Sequence, residues 1–412
     1  MPRVLLLLPT TTYRAADFLE AAKRLGVDVT VASEQPSTLE SLSPEALLTL
    51  DFLDPEACAR RVVEFARRRR LDAALGVDED TAVAAASIAQ ALGLPHNPVP
   101  AAAAARDKGM MRRLLAGAGV PSPAHRLLKR REDPRRAAQD LRFPCVLKPT
   151  FLSGSRGVIR ADGPEEFVSA WSRIGKILSD PEVVRRGGAL AEEILVEDFV
   201  PGIEVALEGL LRQGDLRVLA LFDKPDPLEG PFFEETIYVT PSRLAEETQL
   251  RIAQTAGQGA LALGLRDGPI HAELRVNAHG AWLIEIAARS IGGLCSRTLR
   301  FAMSMSLEEL ILRHALGMEM PEPERDRLAA GVLMIPIPRP GVLEGVEGLE
   351  SARAVPAIED IVISAHPGQR LVPLPEGSRY LGFVFSRAAT PERAETALRE
   401  AHALLEIRIV EP

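Results

Sequence analysis

The sequence predicts an α/β protein with a parallel sheet at its N-terminus, and three observations carry that prediction. Short apolar runs alternate with helical stretches up to residue 98. Long strands of alternating polarity fill the middle of the chain. A β-rich stretch that ends in a helix closes it.

The first run, Arg3-Val-Leu-Leu-Leu-Leu-Pro9, is apolar throughout and ends in the turn cluster Pro9-Thr-Thr-Thr12. It predicts a strand buried on both faces. Helical periodicity over 15–25 stops at Gly26, and 27–31 is the next strand. A helix over 57–70, a strand over 71–76 and an Ala-rich helix over 81–92 complete the unit. Ligands of such sheets gather at the carboxyl ends of the strands, which are here the loops 10–13 and 77–80. The Gly-x-Gly-x-x-Gly turn is absent after the first strand, which disfavours hydride transfer to a dinucleotide. The run Arg67 to Arg70 reads as a solvated helix end.

Beyond the Pro-rich boundary at 95–100, a helix spans 101–116 and the turn Gly119-Val-Pro-Ser-Pro123 follows. Strands are expected at 190–198, 204–211 and 216–222, and an amphipathic helix at 244–263. Two alternating segments, 270–276 and 281–287, form a hairpin around Asn277-Ala-His-Gly280. A helix covers 307–316. Residues 321–327 are charged and Pro-bearing and read as a linker. The domains expected are therefore 1–98, 99–320 and 321–412.

Of the 412 residues, 46% are hydrophobic and 26% charged, enough apolar material for more than one core. With 49 Lys plus Arg against 57 Asp plus Glu, the net charge is −8, which argues against a phosphodiester-gripping protein. Nucleic-acid partners are not expected. No apolar stretch reaches membrane-spanning length, so no membrane partner is expected either. Cys58, Cys145 and Cys295 are too few and scattered for a disulfide framework or a thiolate zinc site. They read as small buried hydrophobes, and the cytoplasm is the expected compartment.

Five features in one order carry the chemistry. They are Arg106-Asp-Lys108; Pro144-Cys-Val-Leu-Lys-Pro149; Ser153-Gly-Ser-Arg-Gly157; Val196-Glu-Asp-Phe-Val-Pro-Gly-Ile-Glu204; and the pair Glu273 and Glu285, followed by Ala288-Arg289-Ser-Ile-Gly-Gly293. Lys148 ends a buried strand, where an unpaired ammonium costs several kcal/mol and a phosphate would satisfy it. Its expected partner is a nucleotide rather than the core. Glu273 and Glu285 stand on the two arms of one hairpin, where alternation lets both face one cleft. Facing carboxylates repel unless a cation lies between them.

The whole resembles the ATP-grasp superfamily. Within it, Glu-x-Ala-Ala-Arg-x-x-Gly-Gly and the β-rich tail are similar to L-amino-acid ligases and carnosine-synthase-like enzymes. The resemblance implies a two-lobed α+β ATP-grasp domain and a small β-rich C-terminal domain. It implies phosphate contacts for Lys108, Lys148 and, less directly, Lys224. The small-residue loop with Ser153, Gly154, Ser155 and Gly157 would close its N–H groups over phosphate oxygens. Glu197, Asp198, Phe199 and Val200 match the hinge that reads adenine, through backbone groups of Asp198 and Val200. Glu204 matches the acid that accepts the ribose hydroxyls, since a carboxylate can accept two hydrogen bonds at once.

Glu273 and Glu285 would hold Mg²⁺, with Mn²⁺ as an alternative. Many members carry an Asn that completes a second metal site where this chain has Ala287, so one ion is expected and the second is in doubt. Arg289 suits a developing acyl-phosphate or a substrate carboxylate. His271 reads as a buried structural histidine. The implied activity is ADP-forming ligation of a carboxylate, an amino acid by resemblance, to an amine through an acyl-phosphate, as in dipeptide synthesis. The alternatives are an ATP-grasp carboxylase, a formate-using purine enzyme, and a nucleotide-binding protein without turnover. Side chains that read substrate are expected on 10–13, 77–80 and 232–235. The resemblance leaves monomer or homodimer open.

Overall fold

A computed structural model describes the chain except residues 38, 39, 41, 44, 302, 303, 321–327 and 412. The expected linker at 321–327 lies outside the described residues. The N-terminal unit is a parallel sheet in which Arg3–Leu7 pairs with Asp28–Ser33 on one side and Ala73–Gly76 on the other. A short outer strand, Leu47–Thr49, joins Asp28–Ser33. At three residues it was too short to register as periodicity.

Helix Ala15–Leu25 ends where Gly26 turns left-handed at φ 65°, and its N–H closes the last turn. The helix expected over 57–70 is Pro55–Ala66, capped by the Asp54 carboxylate; Arg67 to Arg70 lie beyond it and are exposed. The third helix, Glu79–Leu92, begins at Asp78 and so brings Glu79 into its first turn.

The middle of the chain folds as two lobes. The smaller is an antiparallel sheet in the order His125–Lys129, Glu193–Asp198, Cys145–Pro149, Ile159–Ala161. Helix Pro164–Ile177, not foreseen in the sequence, packs Phe167, Trp171 and Ile174 onto it. The helix expected over 101–116 is two helices, Val99–Arg106 and Lys108–Gly117. Asp107 breaks it by adopting an extended conformation and accepting hydrogen bonds from the N–H groups of Gly109 and Met110. That cap sets Lys108 at the head of the second helix.

The larger lobe contributes Ile203–Arg212, Asp215–Asp223, Ile237–Thr240 and the hairpin Gly268–Asn277/Gly280–Ala287. Its sheet does not stop there. Ile237–Thr240 pairs with Ala329–Ile335, which pairs with Gly382–Ala388 and then Ile358–Ile363, so eight strands run through the middle and C-terminal units. A separate three-stranded sheet and helix Pro391–Ala403 complete the C-terminal unit.

One core cluster joins all three units. Val4 and Leu6 of the first strand pack with Leu310, Ile311, Met334 and Phe383. Each fully buried Leu or Ile stabilises by about 1.5–3 kcal/mol. Beside this cluster Arg14 is buried, with a guanidinium nitrogen 3.1 Å from the Glu308 carboxylate on helix Leu307–Ala315 and 5.0 Å above the Phe18 ring. The three cysteines are free and buried. Burial pushes the Cys58 thiol up to about 11 and Cys145 to about 12.

Removing one partner of a buried ion pair leaves the other charge uncompensated. Glu308→Ala is expected to destabilise the protein by about 3 kcal/mol at neutral pH, measured by denaturant unfolding. Burial alone would raise the Glu308 pKa, but the Arg14 guanidinium beside it brings it below its ordinary 4.5. Its contribution is therefore complete above that value and is lost as pH falls through the folded pKa. The gap between wild type and variant should narrow in acid; a gap that stays constant would contradict the assignment.

Candidate active site

A cavity of about 500 Å³ lies where the three units meet. The N-terminal unit lines it with Thr11, Thr12, Tyr13, Asp78, Glu79 and Asp80, and the C-terminal unit with Met334, Ser378, Arg379 and Tyr380. Among the residues singled out in the sequence, Lys108, Lys148, Ser153, Gly154, Ser155, Glu197, Asp198, Phe199, Val200, Glu204, Glu273, Glu285 and Arg289 all line it.

Lys148 sits on the buried strand Cys145–Pro149. Its ammonium is 2.7 Å from the Glu197 carboxylate, whose other oxygen is 2.6 Å from Nε of the buried Arg112. Lys148 thus has a core partner as well as a face on the cavity, a correction to the expectation that its partner is the nucleotide alone. Burial alone would raise the Glu197 pKa, but Arg112 and Lys148 hold it below its ordinary value. The Glu197 side chain is therefore a structural pin.

The hinge groups are partly committed. The Asp198 N–H donates to the Ala124 carbonyl, and the Val200 carbonyl accepts from Arg275. Those two groups are removed from the set expected to meet a base, which leaves the Asp198 carbonyl and the Val200 N–H. Phe199 lies between two guanidinium groups, Arg160 at 4.2 Å and Arg275 at 4.9 Å from its ring centre.

The loop 153–157 turns through left-handed conformations at Gly154, Ser155 and Gly157. At Gly157 a Cβ would stand 2.8 Å from the Pro149 ring, so only glycine fits. Lys108 donates to the Leu152 carbonyl at 2.8 Å and lies 3.0 Å from Glu285. Burial alone would lower its pKa, but Glu285 and Glu79 raise it, so it stays charged.

Glu273 and Glu285 stand directly opposite each other in the hairpin ladder, with a bulge immediately after Glu273. Opposed residues of an antiparallel pair share a face. Each is neutralised by a lysine: Glu285 by Lys108, and Glu273 by Lys224 at 3.3 Å. The resemblance implied a phosphate contact for Lys224. Its ammonium is instead enclosed by Glu204 at 2.9 Å, Glu235 and Glu273, above the Tyr238 ring. Oxygens of Glu204, Glu235 and Glu273 lie within 4.8 Å of one another, a carboxylate set wider than the pair expected. Glu204 also meets Arg275 at 2.9 Å, so both its oxygens are ion-paired.

Burial raises the Glu235 pKa to about 7 against the lowering effect of Lys224. Burial would also raise Glu273, but Lys224 and a hydrogen bond from His271 hold it well below the usual carboxylate range. His271 bridges Glu208, through Nδ1, and Glu273, 3.4 Å from Nε2. Burial alone would lower its pKa, but Glu208 and Glu273 raise it to about 9. Glu208 also accepts from the Ile291 N–H at 3.1 Å and so ties the loop after Arg289 to the sheet.

Arg289 reaches across to the N-terminal unit, where its guanidinium is 3.1 Å from Glu79. Burial would lower the Arg289 pKa and Glu79 raises it, so the fork is permanently charged. The sequence reading missed Arg112, Glu208 and Arg275. One signal was available: Glu208 is an acid inside the otherwise apolar buried run 205–211.

An ATP-grasp N-terminal domain matches residues 19–96, an ATP-grasp domain matches 141–298, and an L-amino acid ligase C-terminal domain matches 333–410. Alanine–anticapsin ligase of Bacillus subtilis is 29% identical over 269 residues, covering 62% of this chain and 56% of that one. Carnosine synthase 1 of Mus musculus is 30% identical over 297 residues, covering 68% of this chain and 35% of that one. The chain thus spans little more than half the length of the first and about a third of the second. The crystal structure of L-amino acid ligase from Bacillus licheniformis superposes with a TM-score of 0.85 at 26% identity, covering 100% of this chain and 99% of that one. Three matched segments in one order, on a chain that superposes along its whole length on an L-amino acid ligase, show that this chain carries the ATP-grasp fold with the domain order of that ligase.

Proposed function

We propose that this protein is an ADP-forming carboxylate–amine ligase that activates an amino-acid carboxylate as an acyl-phosphate. One observation carries the reading: Lys108, Lys148, Ser153, Gly154 and Ser155 of the small-residue loop, Glu273, Glu285 and Arg289 line a single cavity. The names of the relatives, alanine–anticapsin ligase and L-amino acid ligase, support an amino acid among the substrates. No Ser or Cys nucleophile is needed, because phosphoryl transfer depends mostly on positioning and charge neutralisation. Cys295 does line the cavity, but burial raises its thiol pKa far above neutrality and leaves it inert.

In this reading the substrate carboxylate attacks the γ-phosphate of ATP and ADP departs. The amine then attacks the acyl carbon and phosphate leaves. Lys148 and the 153–157 loop orient the phosphates. The Asp198 carbonyl and Val200 N–H meet the adenine edge, and Glu204 the ribose. Arg289, held by Glu79, neutralises the oxygens that gather charge as the acyl-phosphate forms. The opposed Glu273 and Glu285 fit Mg²⁺, since each already requires a cation and is given an ammonium in its place. Magnesium bound there would neutralise phosphate charge. Walls from all three units surround the site, and keeping water from it would protect an acyl-phosphate from hydrolysis.

Lys148→Ala is expected to reduce ATP affinity by at least about tenfold, read by titration calorimetry. It should also lower stability by about 1–3 kcal/mol, because Glu197 keeps Arg112 but loses a buried partner. Undiminished affinity would remove Lys148 from the phosphate site.

Glu285→Gln should abolish the Mg²⁺ dependence of turnover, since a neutral amide is a poor ligand for a hard cation. The rate is followed against Mg²⁺ concentration. A wild-type profile would make Glu285 only the partner of Lys108.

The nucleotide product decides the chemistry. ADP and phosphate are expected, and hydroxylamine added with ATP and a mixture of amino acids should trap a hydroxamate. Arg289→Ala should cut its yield by about a hundredfold or more, the scale for losing one donor to a developing oxyanion. AMP and pyrophosphate would overturn the proposal.

A further inference from the structure

The loop 153–157 is not held by its own lobe alone. The C-terminal segment 372–380 lies across it. The Gly157 N–H donates to the Pro375 carbonyl at 2.8 Å, and Arg156 Nε donates to the Glu376 carbonyl at 2.8 Å. Gly154 abuts Ser378, so that a Cβ there would stand 3.3 Å from the Ser378 carbonyl oxygen. The Glu376 side chain takes a two-pronged ion pair from Arg173, through Nε and Nη2, on helix Pro164–Ile177. The same guanidinium lies 4.8 Å above the ring of Phe232, and Phe232 bridges to Ile159 just past the loop.

Arg173 therefore gathers two segments beside the loop, 372–380 and the one around Phe232. The C-terminal segment is itself pre-shaped. The Gly377 N–H donates to the Pro373 carbonyl at 2.8 Å, and a Cβ at Gly377 would collide with the Val372 carbonyl oxygen at 1.9 Å. A rigid turn with one carboxylate at its tip is well suited to transmit position. Two parallel N–H···O bonds fix direction as well as distance, which a single Lys–carboxylate contact would not.

We propose that Glu376 is a positioning residue for the nucleotide phosphates: clamped by Arg173, it fixes the C-terminal turn against the 153–157 loop and so sets affinity for ATP. The proposal rests on the reading of that loop as phosphate-binding. It assigns the C-terminal unit a part in nucleotide binding through the turn that braces the loop.

The test uses the full-length protein and three readouts. Hydrogen exchange of peptides spanning 153–158 is followed without nucleotide, ATP binding with Mg²⁺ is measured by calorimetry, and KM for ATP is measured separately from kcat. In Glu376→Ala, exchange at Gly157 should accelerate, and Kd and KM for ATP should rise by about fivefold, the scale of a half-exposed ion pair. The kcat and the melting temperature should stay near wild type. Arg173→Ala should reproduce this, and the double variant should be no worse than either single, because the two act as one unit. Glu376→Gln, which keeps the shape and one acceptor, should fall in between.

Wild-type ATP affinity in a variant whose loop has come loose would overturn the proposal, as would an unchanged exchange rate at Gly157. Equal losses of stability and kcat across the variants, with KM unchanged, would make Glu376 a structural staple and also overturn it. Failure of the wild type to bind ATP would count against the nucleotide reading instead, and the exchange data would then decide whether Glu376 holds the loop.

Discussion

A carboxylate or ammonium taken out of water must find an opposite charge, and the central cavity of this protein is organised by that requirement. Glu197 is shared by Lys148 and Arg112, Glu285 is met by Lys108, Glu79 by Arg289, and Glu204 and Glu273 by Lys224. The partners come from different segments of the chain, so each pair also registers one element against another. Arg289 with Glu79 ties the larger lobe to the N-terminal unit. Lys108 with Glu285 ties the head of a helix to the hairpin. A charged ligand entering here meets groups already oriented by one another, so little reorganisation remains to be done on binding.

The same constraint explains why the acids differ although they crowd one place. Glu235 is raised to about 7 because it is buried in a cluster already rich in negative charge. Glu273, a short distance away, is held low by Lys224 and by the proton on His271. His271 in turn holds its proton because Glu208 stands behind it. Environment divides the roles among chemically similar side chains, and the division runs through a chain of contacts from Ile291 to Glu273.

Much of this was legible in the sequence because it depends on local pattern. The helix Ala15–Leu25 was marked by its periodicity and by Gly26. The hairpin that opposes Glu273 and Glu285 was marked by alternation on either side of Asn277-Ala-His-Gly280. What the sequence hid was of two kinds. Asp107 looks like an ordinary residue of one long helix, and only its competing bonds to Gly109 and Met110 show that it divides two. Arg112, Glu208 and Arg275 carry no motif; their partners lie as far away as Glu197, Ile291 and Glu204, so tertiary contact alone reveals their purpose. Lys224 was visible as a cation near the site, but its burden of three carboxylates was not.

The eight-stranded sheet has a consequence for dissecting the molecule. Strand Ile237–Thr240 is buried along its whole length between Asp215–Asp223 and Ala329–Ile335. A chain cut between the middle and C-terminal units would present that strand as an open, apolar edge, a template for unwanted pairing between molecules. The two units therefore cannot be exchanged among relatives as independent modules. A chimera with a foreign C-terminal unit would have to supply a strand that continues the ladder in register, or insolubility would mask any transfer of specificity.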